Sequence, residues 1–249
     1  MNISAACLCN TGKVRKRNED NFFFDGACLE AQNKALQQAL SFKKNLRGGL
    51  CVAVFDGMGG ENFGDYASFA AADRMRRMEA RSFFAEDFEY LNSMCMELNA
   101  AVVAKQKELC TQRMGSTMAA LYFLHGWVYF CNLGDSRAYR LKDGKFFLLS
   151  EDHVEKRASR SGRKAPLTQH LGIDPEEMLL EPYISRVRQR RGDRYLLCSD
   201  GLTDMLTDAE ICDIMAGAEN VELCVQQLVD AALEKGGRDN VTAIVCEIC

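Results

Sequence analysis

Three apolar runs in this chain each meet an aspartate at one end, and that arrangement constrains the fold more than any other feature. Asp56 follows Leu50-Cys51-Val52-Ala53-Val54-Phe55, Asp200 follows Tyr195-Leu196-Leu197-Cys198-Ser199, and Asp239 comes just before Val241-Thr242-Ala243-Ile244-Val245. Short apolar runs of this kind read as buried strands. A carboxylate at the end of a core strand is costly unless something shares its charge, and a divalent cation with several oxygen ligands does so well. The pattern predicts a metal site on the rim of a sheet.

With 249 residues and 47% hydrophobic content the chain can bury a large core, and no repeat, linker or low-complexity tract divides it, so residues 1–249 are expected to form one domain. A net charge of -4 and a pI near 5.6 argue against nucleic acid as a partner. The twelve cysteines are scattered and lie mostly in apolar runs, which predicts buried, reduced thiols in a cytoplasmic protein. The start of the chain lacks the features of a signal peptide, and no run approaches the ~20 apolar residues of a membrane span. No membrane partner is expected.

Strands are expected at residues 3–10, 22–24, 50–55, 116–124, 127–133, 136–141, 146–149, 194–199 and 241–248, and helices at 63–78, 86–109, 208–216 and 221–234. Residues 27–44, with Leu29, Leu36, Ala39 and Leu40 at helical spacing, predict a helical excursion. Residues 151–180 are polar, contain two of the three prolines and read as a surface flap. Runs of antiparallel strands with helices grouped between them imply α+β layering: a four-layer αββα sandwich of two antiparallel sheets flanked by helix pairs.

Further carboxylates stand at strand ends or turns in Asn18-Glu19-Asp20, Asp135-Ser136-Arg137 and Asp239-Asn240. Clustered without a partner they would repel one another and their pKa values would rise. None of the three histidines has zinc spacing to a cysteine pair, Ser199 sits in no G-x-S-x-G elbow, and Gly57-Met58-Gly59-Gly60-Glu61-Asn62 fails the dinucleotide pattern at its last position. Cys246-Glu247-Ile248-Cys249 has redox spacing but lies in a terminal strand. An all-oxygen set suits Mg²⁺ or Mn²⁺, and two such ions roughly 3.5–4 Å apart can activate a water and hold the oxygens of an in-line phosphoryl displacement. Arg15, near Asp20, offers a fork for a phosphate dianion.

Val14-Arg15-Lys16-Arg17-Asn18-Glu19-Asp20, Phe55-Asp56-Gly57-Met58-Gly59-Gly60, Gly115-Ser116-Thr117, Gly134-Asp135-Ser136-Arg137, Leu197-Cys198-Ser199-Asp200-Gly201-Leu202 and Gly237-Arg238-Asp239-Asn240-Val241-Thr242 resemble, in order, the motifs of the metal-dependent serine/threonine protein phosphatases of type 2C, the PPM family. The Asp-Gly-Met-Gly-Gly form is similar to the bacterial branch. The resemblance implies hydrolysis of phosphoserine and phosphothreonine monoesters by a metal-bridging hydroxide, without a covalent phosphoenzyme. It implies two Mn²⁺ or Mg²⁺ ions per site and a weaker third.

On that resemblance Asp56 bridges the two ions, the Gly57 carbonyl binds one, and Asp200 and Asp239 complete the other. Glu19 and Asp20 act through water, Asp135 serves the third ion, Arg15 holds the substrate phosphate and Asn240 orients its neighbours. Arg15, Asp20 and Asp56 are the expected catalytic residues. The implied partners are phosphorylated proteins and an opposing serine/threonine kinase, with the chain acting as a monomer.

Three departures stand out. Met58 occupies the place of the proposed histidine acid of eukaryotic relatives, the flap is short and basic, and residues 27–44 look like an insertion. Lys156, Arg157, Arg160, Arg163 and Lys164 in the flap, with Arg186, Arg188, Arg190 and Arg191, form a candidate steering patch for acidic or phosphorylated substrates. The rival readings are a catalytically silent module that binds or senses through the PPM fold, which filled metal positions disfavour, and a partner-switching regulatory phosphatase.

Overall fold

The computed structural model describes residues 1–59, 63–79, 88–111, 114–155 and 165–249. The expected apolar runs form strands because they are buried on both faces. In β2 (Asp20–Phe24), Phe22 and Phe24 point one way and Phe23 the other, and in β4 (Leu50–Gly59), Val52 and Val54 oppose Cys51, Ala53 and Phe55. A strand covered on both sides carries a continuous apolar run instead of an alternating one.

The first sheet has the order β3 (Leu40–Asn45), β1 (Asn2–Asn10), β12 (Val241–Ile248), β11 (Arg194–Cys198), β8 (Arg137–Lys142), β9 (Lys145–Leu148). The second runs β10 (Tyr183–Arg188), β7 (Trp127–Leu133), β6 (Met118–Leu124), β4, β2, with β5 (Met114–Ser116) paired to the far end of β4. All of these pairings are antiparallel.

Two helices, α1 (Gly64–Glu79) and α2 (Phe88–Glu108), cover the second sheet. Ala67, Ala71, Met75, Leu91 and Leu98 fill that layer. The short α3 (Asp200–Thr203) follows β11, and α4 (Asp208–Gly217) and α5 (Val221–Glu234) cover the first sheet through Ile211, Met215, Val225 and Leu228. A capping box between Thr207 and Glu210 starts α4, and the Asn220 side chain caps α5 at Leu223 N. A third apolar layer, including Ala5, Cys7, Val54, Phe123, Leu197 and Ile244, lies between the sheets. Three cores between four layers give the expected α+β, αββα sandwich.

The expected helix at 27–44 is not formed. Residues 28–39 are irregular and then enter edge strand β3, where Leu40 and Phe42 are half-buried between exposed neighbours. Ala35 takes a left-handed φ of 63°, incompatible with a helix, while Asn33 Oδ1 accepts from its amide. The leucines that suggested helical spacing pack on the layer between the sheets.

The structure also extends β4 through Asp56-Gly57-Met58-Gly59 and adds β5, β10 and α3, which the sequence pattern did not single out. Residues 86–87 of the second expected helix and all five flap cations lie outside the described residues. The described flap stem is pinned at both ends. His153 N donates to Gly134 O at 3.0 Å, Val154 bridges Leu167, and Ser116 and Leu171 exchange backbone hydrogen bonds.

Among the described residues no helix is long and apolar enough to cross a membrane. All twelve cysteines are described, none forms a disulfide and eight are buried. Cys246 faces the layer between the sheets while Cys249 is exposed, so the strand pleat separates the C-x-x-C pair.

Candidate active site

Every carboxylate singled out from the motifs lies at the same end of the sandwich. Asp20 opens β2 and stands directly opposite Asp56 on β4 in the strand register. Asp135 lies in the β7–β8 turn, Asp200 follows β11, and Asp239 lies just before β12. Asp56, Asp135 and Asp200 line one cleft of about 250 Å³ with Met58, Thr117, Ala165 and Leu167.

Two glycines make this convergence possible. A Cβ on Gly57 would stand 2.0 Å from Gly64 O and 2.5 Å from Glu19 O, so only glycine lets β4, the Glu19 backbone and the start of α1 meet. The Gly57 amide donates to Glu19 O at 3.0 Å, and its carbonyl faces Gly64. At Gly201 a Cβ would fall 1.9 Å from Asn240 O, which fixes the α3 turn against the segment carrying Asp239.

Hydrogen bonds hold the segments of Asp56, Glu19 and Asp239 in place. Asp56 N donates to Thr117 Oγ1 at 3.1 Å, and Asp56 O accepts from Thr117 N at 2.8 Å and Ser116 Oγ at 3.1 Å. Asn240 Oδ1 accepts from Glu19 N at 2.8 Å, and its Nδ2 donates to Thr11 O and Arg17 O. Arg15 Nη2 donates to Asp239 Oδ2 at 2.6 Å with both side chains partly exposed. Burial raises the Glu19 pKa, and nearby Asp65 adds to the rise.

Asp20 is the most buried member, with 1% exposure. Its Oδ2 accepts from Ser199 Oγ and Thr242 Oγ1, each at 2.7 Å, while its Oδ1 is buried and has no hydrogen-bond partner among the described residues. Burial pushes the carboxyl up to about 7, Asp239 adds to the rise, and the two hydroxyls oppose it. An orphaned oxygen on a buried acid, set beside other carboxylates and hydroxyls, suits a hard divalent cation. Among the described residues no group of three or more His, Cys, Asp or Glu side chains is gathered closely enough to hold an ion by itself. An ion here would therefore keep part of its water shell, as Mg²⁺ commonly does.

The sequence did not single out Thr117, Ser199, Thr242 and Asp65 for the site. The first three could have been noticed as hydroxyls beside or within buried strands, where they need a polar partner. Asp65 lies in the first turn of α1 and carries no spacing signal.

The protein phosphatase 2C family model matches residues 26–235, and this chain belongs to that family. Serine/threonine protein phosphatase PstP of Mycobacterium tuberculosis is 30% identical over 212 residues, covering 81% of this chain. The chain spans only 41% of that relative's length. Serine/threonine phosphatase stp of Listeria innocua is 29% identical over 253 residues, covering 95% of this chain and 92% of its own. A crystal structure of the PstP catalytic domain in complex with two manganese ions superposes with a TM-score of 0.77 at 27% identity, covering 99% of both chains. The family match begins after Asp20 and ends before Asp239; the pairing of Asp20 with Asp56 ties the first flank to it, and that of Arg15 with Asp239 ties the two flanks to each other.

Proposed function

We propose that this chain is a metal-dependent phosphatase of phosphoserine and phosphothreonine monoesters in proteins, acting as one domain over residues 1–249. The observation that carries this reading is the register pairing of buried Asp20 with Asp56, beside a cleft also lined by Asp135 and Asp200. PstP, similar over the whole fold, binds two manganese ions in its crystal structure. By the same donor chemistry, Asp56 and the Gly57 carbonyl would hold one Mn²⁺ or Mg²⁺, and Asp56, Asp200 and Asp239 a second. Glu19 and Asp20 would contribute through water, and Asp135 would serve a weaker third ion. Bound ions would supply an acidified water and neutralise the charge of the phosphoryl oxygens.

The protein's own groups then have distinct tasks. Arg15 presents a guanidinium fork beside Asp239 and orients the phosphate dianion. Ser199 and Thr242 hold one Asp20 oxygen and leave the other without a hydrogen-bond donor among the described residues. Met58 has no proton to give, so protonation of the leaving alkoxide falls to water in the cleft. Phosphorylated proteins are the substrates, and a serine/threonine kinase is the opposing enzyme. Cytoplasmic placement is supported by eight buried cysteines and the lack of disulfides in the described chain. We expect a monomer.

The test is aryl-phosphate hydrolysis with and without Mn²⁺, comparing wild type with Asp239→Asn. We expect turnover only with Mn²⁺ and a loss of roughly 100-fold or more in the variant, the order seen when a key electrostatic contact is removed. Metal-independent turnover, or full activity of Asp239→Asn, would overturn the assignment.

A further inference from the structure

Strand β10 is an edge strand that carries arginine at alternate positions, Arg186 and Arg188, and the chain beyond it continues with Arg190 and Arg191. In the β10–β7 register Arg186 stands opposite Tyr129 and Arg188 opposite Trp127. The Arg188 guanidinium lies 3.9 Å from the centroid of the Trp127 ring and that of Arg186 4.3 Å from it. Arg186 also lies 5.7 Å from the rings of Phe88 and Tyr129 and donates to the Tyr129 hydroxyl at 3.2 Å. Among the described residues none of the four arginines forms an ion pair. All four are exposed.

Guanidinium groups laid on aromatic rings lose little further freedom on binding and can still use their in-plane N–H groups for carboxylates. Charge alone would guard an edge strand against self-pairing, and lysine would serve that purpose. The aromatic stacking adds order that guarding does not require. An open edge can also pair with an extended peptide backbone, which a nucleic acid lacks.

We infer that the β10 edge is a docking strip for an acidic segment of the protein substrate, a reading that rests on the phosphatase assignment above. The geometry sets the spacing. β10 starts opposite Asn132, close to the turn that carries Asp135, and ends opposite Trp127, roughly 20 Å along the sheet at the usual rise per residue. An extended substrate with its phosphorylated residue in the cleft would place its acidic residues about six to eight positions away to meet Arg186 and Arg188.

Two phosphothreonine peptides test this, identical except for three glutamates or three glutamines six to eight residues from the phosphothreonine. kcat/KM is measured for wild type, Arg186→Gln/Arg188→Gln and Arg190→Gln/Arg191→Gln, with 4-nitrophenyl phosphate as the small-substrate control. The wild type should favour the glutamate peptide about five- to tenfold, mainly through KM and less at high salt. The Arg186/Arg188 variant should lose most of that preference and the Arg190/Arg191 variant part of it, with aryl-phosphate turnover unchanged in both. Anisotropy of a labelled, unphosphorylated glutamate peptide reads docking without catalysis, so it separates failure of the strip from failure of the phosphatase assignment. Equal wild-type kcat/KM for the two peptides, a preference that survives in both variants, or tighter binding of an oligonucleotide of equal charge would overturn the inference.

Discussion

Two buried aspartates at opposite ends of the sandwich differ in how their charge is met. Asp193, just before β11, is 2% exposed, and its Oδ2 accepts from the Arg140 guanidinium, the Arg190 amide and the Tyr195 hydroxyl. Asp20, at the other end, is 1% exposed, and among the described residues its hydroxyl donors, Ser199 and Thr242, both meet one oxygen while the other faces no hydrogen-bond donor. The first charge is neutralised by the chain itself and fastens β8 and β11 to the end of β10, where Arg140 also donates to Arg188 O. The second is left short of partners, which a fold tolerates where something from outside completes the set. A structural acid carries its counter-charge with it; a functional one waits for a ligand.

Removing each acid should therefore have opposite effects on the metal-free protein. Asp193→Ala leaves the Arg140 charge buried without its partner and should cost about 3–5 kcal/mol in denaturant unfolding. A loss below ~1 kcal/mol would show that the contrast is false.

Asp20→Asn should instead stabilise the metal-free protein at pH 8 while abolishing turnover. The sign follows from the raised pKa. The folded state holds the Asp20 proton up to about 7, against 3.8 for the ordinary carboxyl, so stability from this group is full below that lower value and is lost as pH rises through about 7. The gain should nearly vanish at pH 3, where both states are protonated. Chemical denaturation of both proteins at the two pH values reads this directly, and a variant that is less stable at pH 8 would contradict the account.

Much of this division was visible in the sequence. Runs such as 50–55 and 241–245 announced strands because both faces are buried, and their terminal aspartates announced a site because nothing in the local sequence neutralises them. Residues 27–44 misled because leucines that pack on an irregular loop can mimic helical spacing. β10 was missed because an edge strand carrying arginines breaks the apolar run that marks a core strand. Thr117, Ser199 and Thr242 stood within the motifs but carried no assigned role, because that role depends on which strands pair, and pairing is set by tertiary packing rather than by spacing. The partner of Asp193 was hidden for the same reason, since Arg140 lies on another strand.

Phosphatase chemistry at this site requires that the carboxylate end receive divalent cations. Calorimetric titration of Mn²⁺ into the metal-free protein at pH 8, alongside Asp56→Asn, tests this most directly. We predict two ions bound per wild-type chain and both tight sites lost in the variant, since Asp56 would serve both. Absence of Mn²⁺ binding to wild type, or equal binding by Asp56→Asn, would contradict it.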